Sequence, residues 1–174
     1  MRTVAVSWDK SAGRFTAQGR YPGQVISINA PALPDEKRAP TGFSATELLL
    51  AGAGACSAWD MVEILRKRRA KFDSLDVAVE GHQDDDPPWT YRRVALHYRI
   101  AGAGLSVAVL ARVIRLAVVR YCSVISTMSG VAAISATVEL VERDGTSTGR
   151  VPIELAIPTA PFPATEEPLS DEDV

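Results

Sequence analysis

Apolar and polar residues alternate over the first thirty positions. Val4, Val6 and Trp8 share one face of an extended segment, Asp9 to Gly13 reads as a turn, and apolar positions resume near Phe15 and from Val25 to Ile28, after Pro22-Gly23. This predicts an antiparallel meander. From Pro31 to Gly42, prolines at 31, 34 and 40 among mixed charges predict an exposed loop. Ser44-Ala45-Thr46-Glu47 then has capping-box spacing, in which serine and glutamate satisfy free amides at a helix start.

The pattern changes at that point. From Leu48 to Val62 nearly every position is apolar or small, and the segment turns basic at Arg66, Lys67, Arg68, Arg69 and Lys71. A helix over 45–70 with no polar face must be buried, which makes it the central element. Gly52 and Gly54 inside it each cost about 1 kcal/mol relative to alanine. Close approach of another helix backbone compensates for them most simply, and a second copy of the chain can supply it.

Beyond this helix, Leu75 to Val79 and a long alternating strand form a hairpin with a polar tip at His82 to Pro88. That strand places Val94, Leu96, Tyr98 and Ile100 on one face and Arg93, His97 and Arg99 on the other. Ser106 can cap a helix over 107–119 that turns Leu110, Ile114, Ala117 and Val118 to the core. A shorter helix begins near Cys122, and Val131 to Val141 makes a last strand. After Asp144, prolines at 152, 158, 161, 163 and 168 and a run of acidic residues predict a tail, with an edge strand available in 151–157. The reading is an α+β chain with one domain over 1–144 and a Pro-rich acidic segment over 145–174.

Composition narrows the function. A chain of 174 residues with 47% apolar content can bury one substantial core. The net charge of −2 gives no footprint for nucleic acid, and the basic run reads as cations at a helix C-terminus. The N-terminus lacks a signal-peptide core, and the chain reads as having no stretch long and apolar enough for a bilayer, so a cytoplasmic protein with no membrane partner is expected. His82 and His97 fall on a loop tip and an outward strand face, without metal-ligand spacing. No phosphate-binding loop or nucleophile elbow occurs, so neither metal nor organic cofactor is expected.

Two cysteines, Cys56 and Cys122, are the whole supply and lie 66 positions apart (122 − 56). Two in so long a chain read as a reactive or redox pair more readily than as a staple, although either alone also suits a small buried side chain. A thiol attacks as thiolate, and its pKa falls at a helix N-terminus or beside a cation. Cys122 has the helix start. Cys56 lies well inside its helix and needs a cation brought to it, because Asp60, one turn on, raises its pKa.

The segment Ala45-Thr46-Glu47-Leu48-Leu49-Leu50-Ala51-Gly52-Ala53-Gly54-Ala55-Cys56-Ser57-Ala58-Trp59-Asp60-Met61-Val62 resembles the first-cysteine helix of the OsmC/Ohr family, the osmotically inducible and organic hydroperoxide resistance proteins. Tyr121-Cys122-Ser123-Val124 resembles its second-cysteine motif, and the likeness spans residues 1 to 142. The resemblance implies an OsmC-like fold, an intertwined homodimer with central helices back to back, and a thiol peroxidase cycle. In that cycle Cys56 attacks an organic hydroperoxide or hydrogen peroxide and becomes a sulfenic acid, Cys122 resolves it to a Cys56–Cys122 disulfide, and an external dithiol reduces the pair. The alternative is a redox-sensing or small-ligand-binding module with little turnover. Peroxidatic members carry a glutamate ten positions before the first cysteine, bonded to an arginine, and Thr46 occupies that position here. Glu47 is the nearest carboxylate, but nine helical residues turn it about 900° from Cys56, to the opposite side and some 13 Å along the axis. Arg38 is the leading candidate for the thiolate's cation, with Arg14 and Arg20 as alternatives.

Overall fold

Alternation in the N-terminal segment yields three short antiparallel strands, β1 (Ala5–Asp9), β2 (Arg14–Gln18) and β3 (Val25–Ile28), in the order β1-β2-β3. The structure is a computed structural model that describes residues 2–29 and 42–157. Asp9 forms the first turn, its Oδ1 accepting from the amides of Ser11 and Ala12 and from the Ser11 hydroxyl. Trp8 and Phe15 face each other across the β1–β2 ladder with ring centroids 4.8 Å apart. The apolar side chains of this sheet remain exposed, Val6 at 59% and Trp8 at 51%. Most of the loop expected over 31–42 lies outside the described residues.

The chain divides into two compact units, Met1–Gly52 and Ala53–Val174. Helix α1 (Ala45–Lys67) begins in the first and runs through the second. Its start is the expected capping box: Glu47 accepts from the Ser44 amide at 2.7 Å and hydroxyl at 2.9 Å, and Ser44 accepts from the Glu47 amide at 3.1 Å.

In the second unit, β4 (Phe72–Gln83) and β5 (Tyr91–Gly102) form the expected hairpin, longer than the alternation indicates. β6 (Ala133–Val141) lies parallel to β5, and β7 (Val151–Ile153) lies antiparallel to β6, giving the order β4-β5-β6-β7. Residues 151–153 therefore belong to the sheet: Ile153 is buried, and a short apolar strand on a free edge gains ladder bonds despite Pro152. Helix α2 (Val107–Arg115) starts on the Ser106 cap, whose hydroxyl accepts from the Val109 amide, and packs on β6 and β7. A π-helical turn (Leu116–Tyr121) carries it into α3 (Ser123–Met128).

The core has the composition that the period-2 and period-3.6 patterns predict. Val94, Leu96, Tyr98 and Ile100 of β5 are buried with Ala136, Val138 and Leu140 of β6, under Leu110, Ile114, Ala117 and Val118.

Helix α1 departs from three expectations. Only the stripe Ala53, Gly54, Ser57, Met61 and Leu65 is buried, while Leu49 and Trp59 are exposed. One four-stranded sheet covers one face of a helix, so the remainder stays uncovered in a single chain. Gly54 is explained by a strand instead of a second helix: a Cβ there would lie 2.9 Å from Val79 Cγ2 and 3.9 Å from Val77 Cγ1. At 23 residues, α1 is also long and apolar enough by length and composition to cross a bilayer, contrary to the expectation that no stretch is. Its buried stripe lies against β4 and β5, the packing of a core helix.

Candidate thiol site

Backbone geometry delivers the two sulfurs separately. Cys56 rides on the α1 segment that crosses the sheet, next to the buried Ser57, and is half-buried. Cys122 ends the π-helical turn, its amide bonded to the carbonyl five residues back, Ala117, at 2.9 Å. The wider turn adds a residue before α3 and leaves Cys122 extended at φ −71, ψ 101, the conformation of a helix N-cap. Its sulfur serves as that cap, accepting from the Ile125 amide at 3.4 Å. Cys122 is 2% exposed and its Sγ lies 4.0 Å from the Ala53 carbonyl of α1. Both cysteines are free, and the Cys56 thiol is near enough to Cys122 to raise its pKa.

Electrostatics separate the two thiols from the simple reading of the sequence. A helix start at Cys122 predicts a lowered pKa, but burial pushes this thiol up to about 12, with the Ile125 amide pulling the other way and the Cys56 thiol adding to the rise. A short helix and one amide do not offset removing a thiolate from water. Cys122 therefore rests protonated at neutral pH.

Two further side chains border the pair. Tyr98 donates its hydroxyl hydrogen bond to Ser57 Oγ at 2.8 Å, and Ser57 Oγ lies 2.9 Å from the Ala53 carbonyl and 3.1 Å from that of Gly54. Burial raises the Tyr98 pKa, the bond to Ser57 opposes the rise, and the Cys122 and Cys56 thiols are near enough to add to it. The sequence reading placed Tyr98 on the core face of its strand without a role. The available signal is that a tyrosine on an otherwise aliphatic face needs a polar partner for its hydroxyl, and Ser57 is the hydroxyl on the facing helix.

The other predicted residues are dispersed. Arg38 lies outside the described residues. Glu47 is engaged by Ser44 at the start of α1, so its carboxylate serves the cap. Arg14 and Arg20 belong to the first unit: Arg14 Nε is buried without a hydrogen-bond partner among the described residues, and Arg20 stacks over Tyr21 at 5.7 Å. Asp60, expected on the Cys56 side of α1, has a buried Oδ2 without a hydrogen-bond partner among the described residues, and burial raises its pKa. His97 Nδ1 lies 2.9 Å from Thr137 Oγ1, and its Nε2 is 3.6 Å from Glu80.

The fold is α+β, with one free cysteine inside α1 and a second, buried, at the start of α3. Comparison with known proteins places it: the model of the OsmC family, described as OsmC-like protein, matches residues 36–149, and the chain belongs to that family. Protein YhfA of Escherichia coli K12 is 32% identical over 98 residues, 56% of this chain and 73% of that protein. Among solved structures, the OsmC-like protein from Mycoplasma pneumoniae shares the fold with a TM-score of 0.69 at 21% identity, over 81% of this chain and 97% of that one. The organic hydroperoxide resistance protein OhrB of Bacillus subtilis is more distant, with a TM-score of 0.54 at 13% identity over 79% and 97%.

Proposed function

We propose that the protein is a cysteine-based thiol peroxidase. The observation that carries this reading is that the free thiols on α1 and at the start of α3 are near enough to interact electrostatically. The half-buried Cys56 attacks the O–O bond of an organic hydroperoxide or hydrogen peroxide as thiolate, taking one oxygen as sulfenic acid and releasing an alcohol or water. Cys122 condenses with it, water leaves, and a Cys56–Cys122 disulfide forms. An external dithiol then returns the pair to the reduced state. A Cys122 that rests protonated suits the resolving role, because it does not compete for peroxide. Arg38 is the proposed cation for the Cys56 thiolate, against the opposing carboxylate of Asp60.

Mass spectrometry of intact protein after one equivalent of cumene hydroperoxide tests the reading. The expected result is a loss of about two mass units with both cysteines linked. Cys122→Ser should trap an oxidised Cys56, Cys56→Ser should abolish peroxide consumption, and Arg38→Ala should slow it. Unmodified thiols would refute the peroxidase. They would favour a redox-sensing or ligand-binding module, a second reading supported by Thr46 standing where peroxidatic members carry glutamate.

The same reading includes a homodimer. Its support is the apolar surface one chain leaves uncovered, Leu49 and Trp59 on α1 and Val6 and Trp8 on β1. Sedimentation at micromolar concentration should give twice the chain mass, and a monomer there would contradict it.

A further inference from the structure

Helix, sheet and second cysteine meet at the Ala53–Gly54 segment of α1. Gly54 passes so close to β4 that a Cβ on it would lie 2.9 Å from Val79 Cγ2. The Ser57 hydroxyl reaches back to the carbonyls of Ala53 at 2.9 Å and Gly54 at 3.1 Å, and Tyr98 of β5 donates to Ser57 Oγ at 2.8 Å. Cys122 Sγ donates toward the same Ala53 carbonyl across 4.0 Å. Ala53, Ser57, Tyr98 and Cys122 are each at most 2% exposed. A hydroxyl buried this deeply costs free energy unless it is bonded, and alanine at 57 would fill the site without that demand. Chemistry fixes the direction of the chain of bonds. Burial keeps the Tyr98 phenol protonated, so it donates to Ser57, and the single Ser57 hydrogen passes on to the backbone. Back-bonding of this kind acts on the helix at the carbonyl it reaches, and here that carbonyl faces the Cys122 sulfur.

Resting on the thiol cycle above, we propose that Ser57 and Tyr98 are positioning residues for the resolving step: their hydroxyls tie β5 to α1 and, through the Ala53 carbonyl, hold the turn that carries Cys56 in register with the start of α3 that carries Cys122. Neither hydroxyl is consumed. In the step they serve, Cys122 gives up its thiol proton, its sulfur attacks the sulfenic sulfur of Cys56, the S–O bond breaks and the hydroxyl leaves with that proton as water. The rate depends on how often the two sulfurs are held in line, because a displacement of about 1 Å is enough to slow a step between positioned groups severely. The same proximity favours the disulfide at equilibrium, so loosening the turn weakens the disulfide as well as slowing its formation.

The measurement is the thiol–disulfide equilibrium of the full chain in mixtures of reduced and oxidised dithiothreitol, where the dithiol passes two electrons and two protons to the protein disulfide and closes to its own cyclic disulfide. Ser57→Ala should shift that equilibrium toward the protein dithiol about fivefold, the equivalent of one hydrogen bond. Ser57→Thr keeps a hydroxyl that can bond back to the same carbonyl and should restore most of the loss. Tyr98→Phe should shift the equilibrium in the same direction by less, and the double variant Ser57→Ala with Tyr98→Phe should be no worse than Ser57→Ala, since both act through one carbonyl. After one equivalent of cumene hydroperoxide, the ratio of disulfide formation to Cys56 oxidation should fall in step with the equilibrium in Ser57→Ala. A merely structural serine would lower the unfolding midpoint and leave both the equilibrium and this ratio where they are in wild type. An unchanged equilibrium in Ser57→Ala and Tyr98→Phe, or a Ser57→Thr protein no better than Ser57→Ala, overturns the positioning role while the wild-type disulfide formed by peroxide leaves the peroxidase standing. Should Ser57→Ala not fold, a Tyr98→Phe equilibrium equal to wild type overturns it instead. If peroxide leaves the thiols unmodified but the disulfide forms in dithiothreitol mixtures, the peroxidase reading falls and the equilibrium shift alone decides. A wild-type pair that forms no disulfide under either condition overturns both.

Discussion

Gly54 offers a quantitative test of how α1 is seated on its sheet. Replacing it with alanine removes the conformational cost of a glycine inside a helix, a gain of about 1 kcal/mol. The new methyl, however, would sit 2.9 Å from Val79 Cγ2, closer than side-chain carbons approach in practice, so something must move by several tenths of an ångström. Val79 cannot yield easily, since a β-branched side chain in a strand is confined at χ1 and β4 is paired to β5 through this residue. Overpacking of this kind costs about 1–3 kcal/mol. The half-buried setting of Val79 allows some relaxation and places the cost toward the lower end. Gly54→Ala should therefore be neutral to destabilising by about 1 kcal/mol. In a Val79→Ala background the obstructing methyl is gone and the same change should stabilise by about 1 kcal/mol. Urea unfolding followed by circular dichroism on the four proteins of this cycle gives the coupling energy, expected at about 1–2 kcal/mol. A coupling near zero, with Gly54→Ala stabilising in both backgrounds, would show that the helix does not rest on Val79 and would refute the packing argument.

Ser57→Ala should cost about 1–3 kcal/mol by leaving the buried Tyr98 hydroxyl unpaired, and adding Tyr98→Phe should recover part of it; additive losses in chemical denaturation would sink the paired-hydroxyl interpretation. Cys122 has a folded pKa raised from 9.0 to about 12, so its contribution is fully present below pH 9 and is lost as pH rises through 12. Three units correspond to an upper limit of about 4 kcal/mol, and Cys122→Ala should flatten the alkaline limb of the stability–pH curve, an unchanged limb counting against burial as the cause. Glu47 has a pKa lowered by the Ser44 amide and hydroxyl, so its support for the helix start is present above about pH 4.5 and is lost as pH falls through the depressed value. Glu47→Gln should remove that acid-range dependence, read from the chemical shifts of the first turn of α1, and a titration identical to wild type would count against the cap.

The legible part of this protein was what local chemistry dictates. The capping box at Ser44 and Glu47, the period-2 face Val94-Leu96-Tyr98-Ile100, the Ser106 cap and the helix beginning at Cys122 depend on residues a few positions apart, and short-range sterics and hydrogen bonding settle them in the chain itself. The paired cysteine motifs likewise carried the family resemblance before any geometry. What only the tertiary structure decided depends on groups distant in sequence. The Cys122 pKa moves opposite to the helix-start expectation because desolvation is set by everything packed around the sulfur, which no local pattern encodes. Gly54 is accounted for by Val79, 25 positions away (79 − 54), where the helical pattern suggested another helix. Tyr98 gained a partner in Ser57 only when β5 and α1 faced each other. Sequence pattern reports which face of an element is apolar; only packing determines which polar atoms on that face are satisfied and which remain for chemistry.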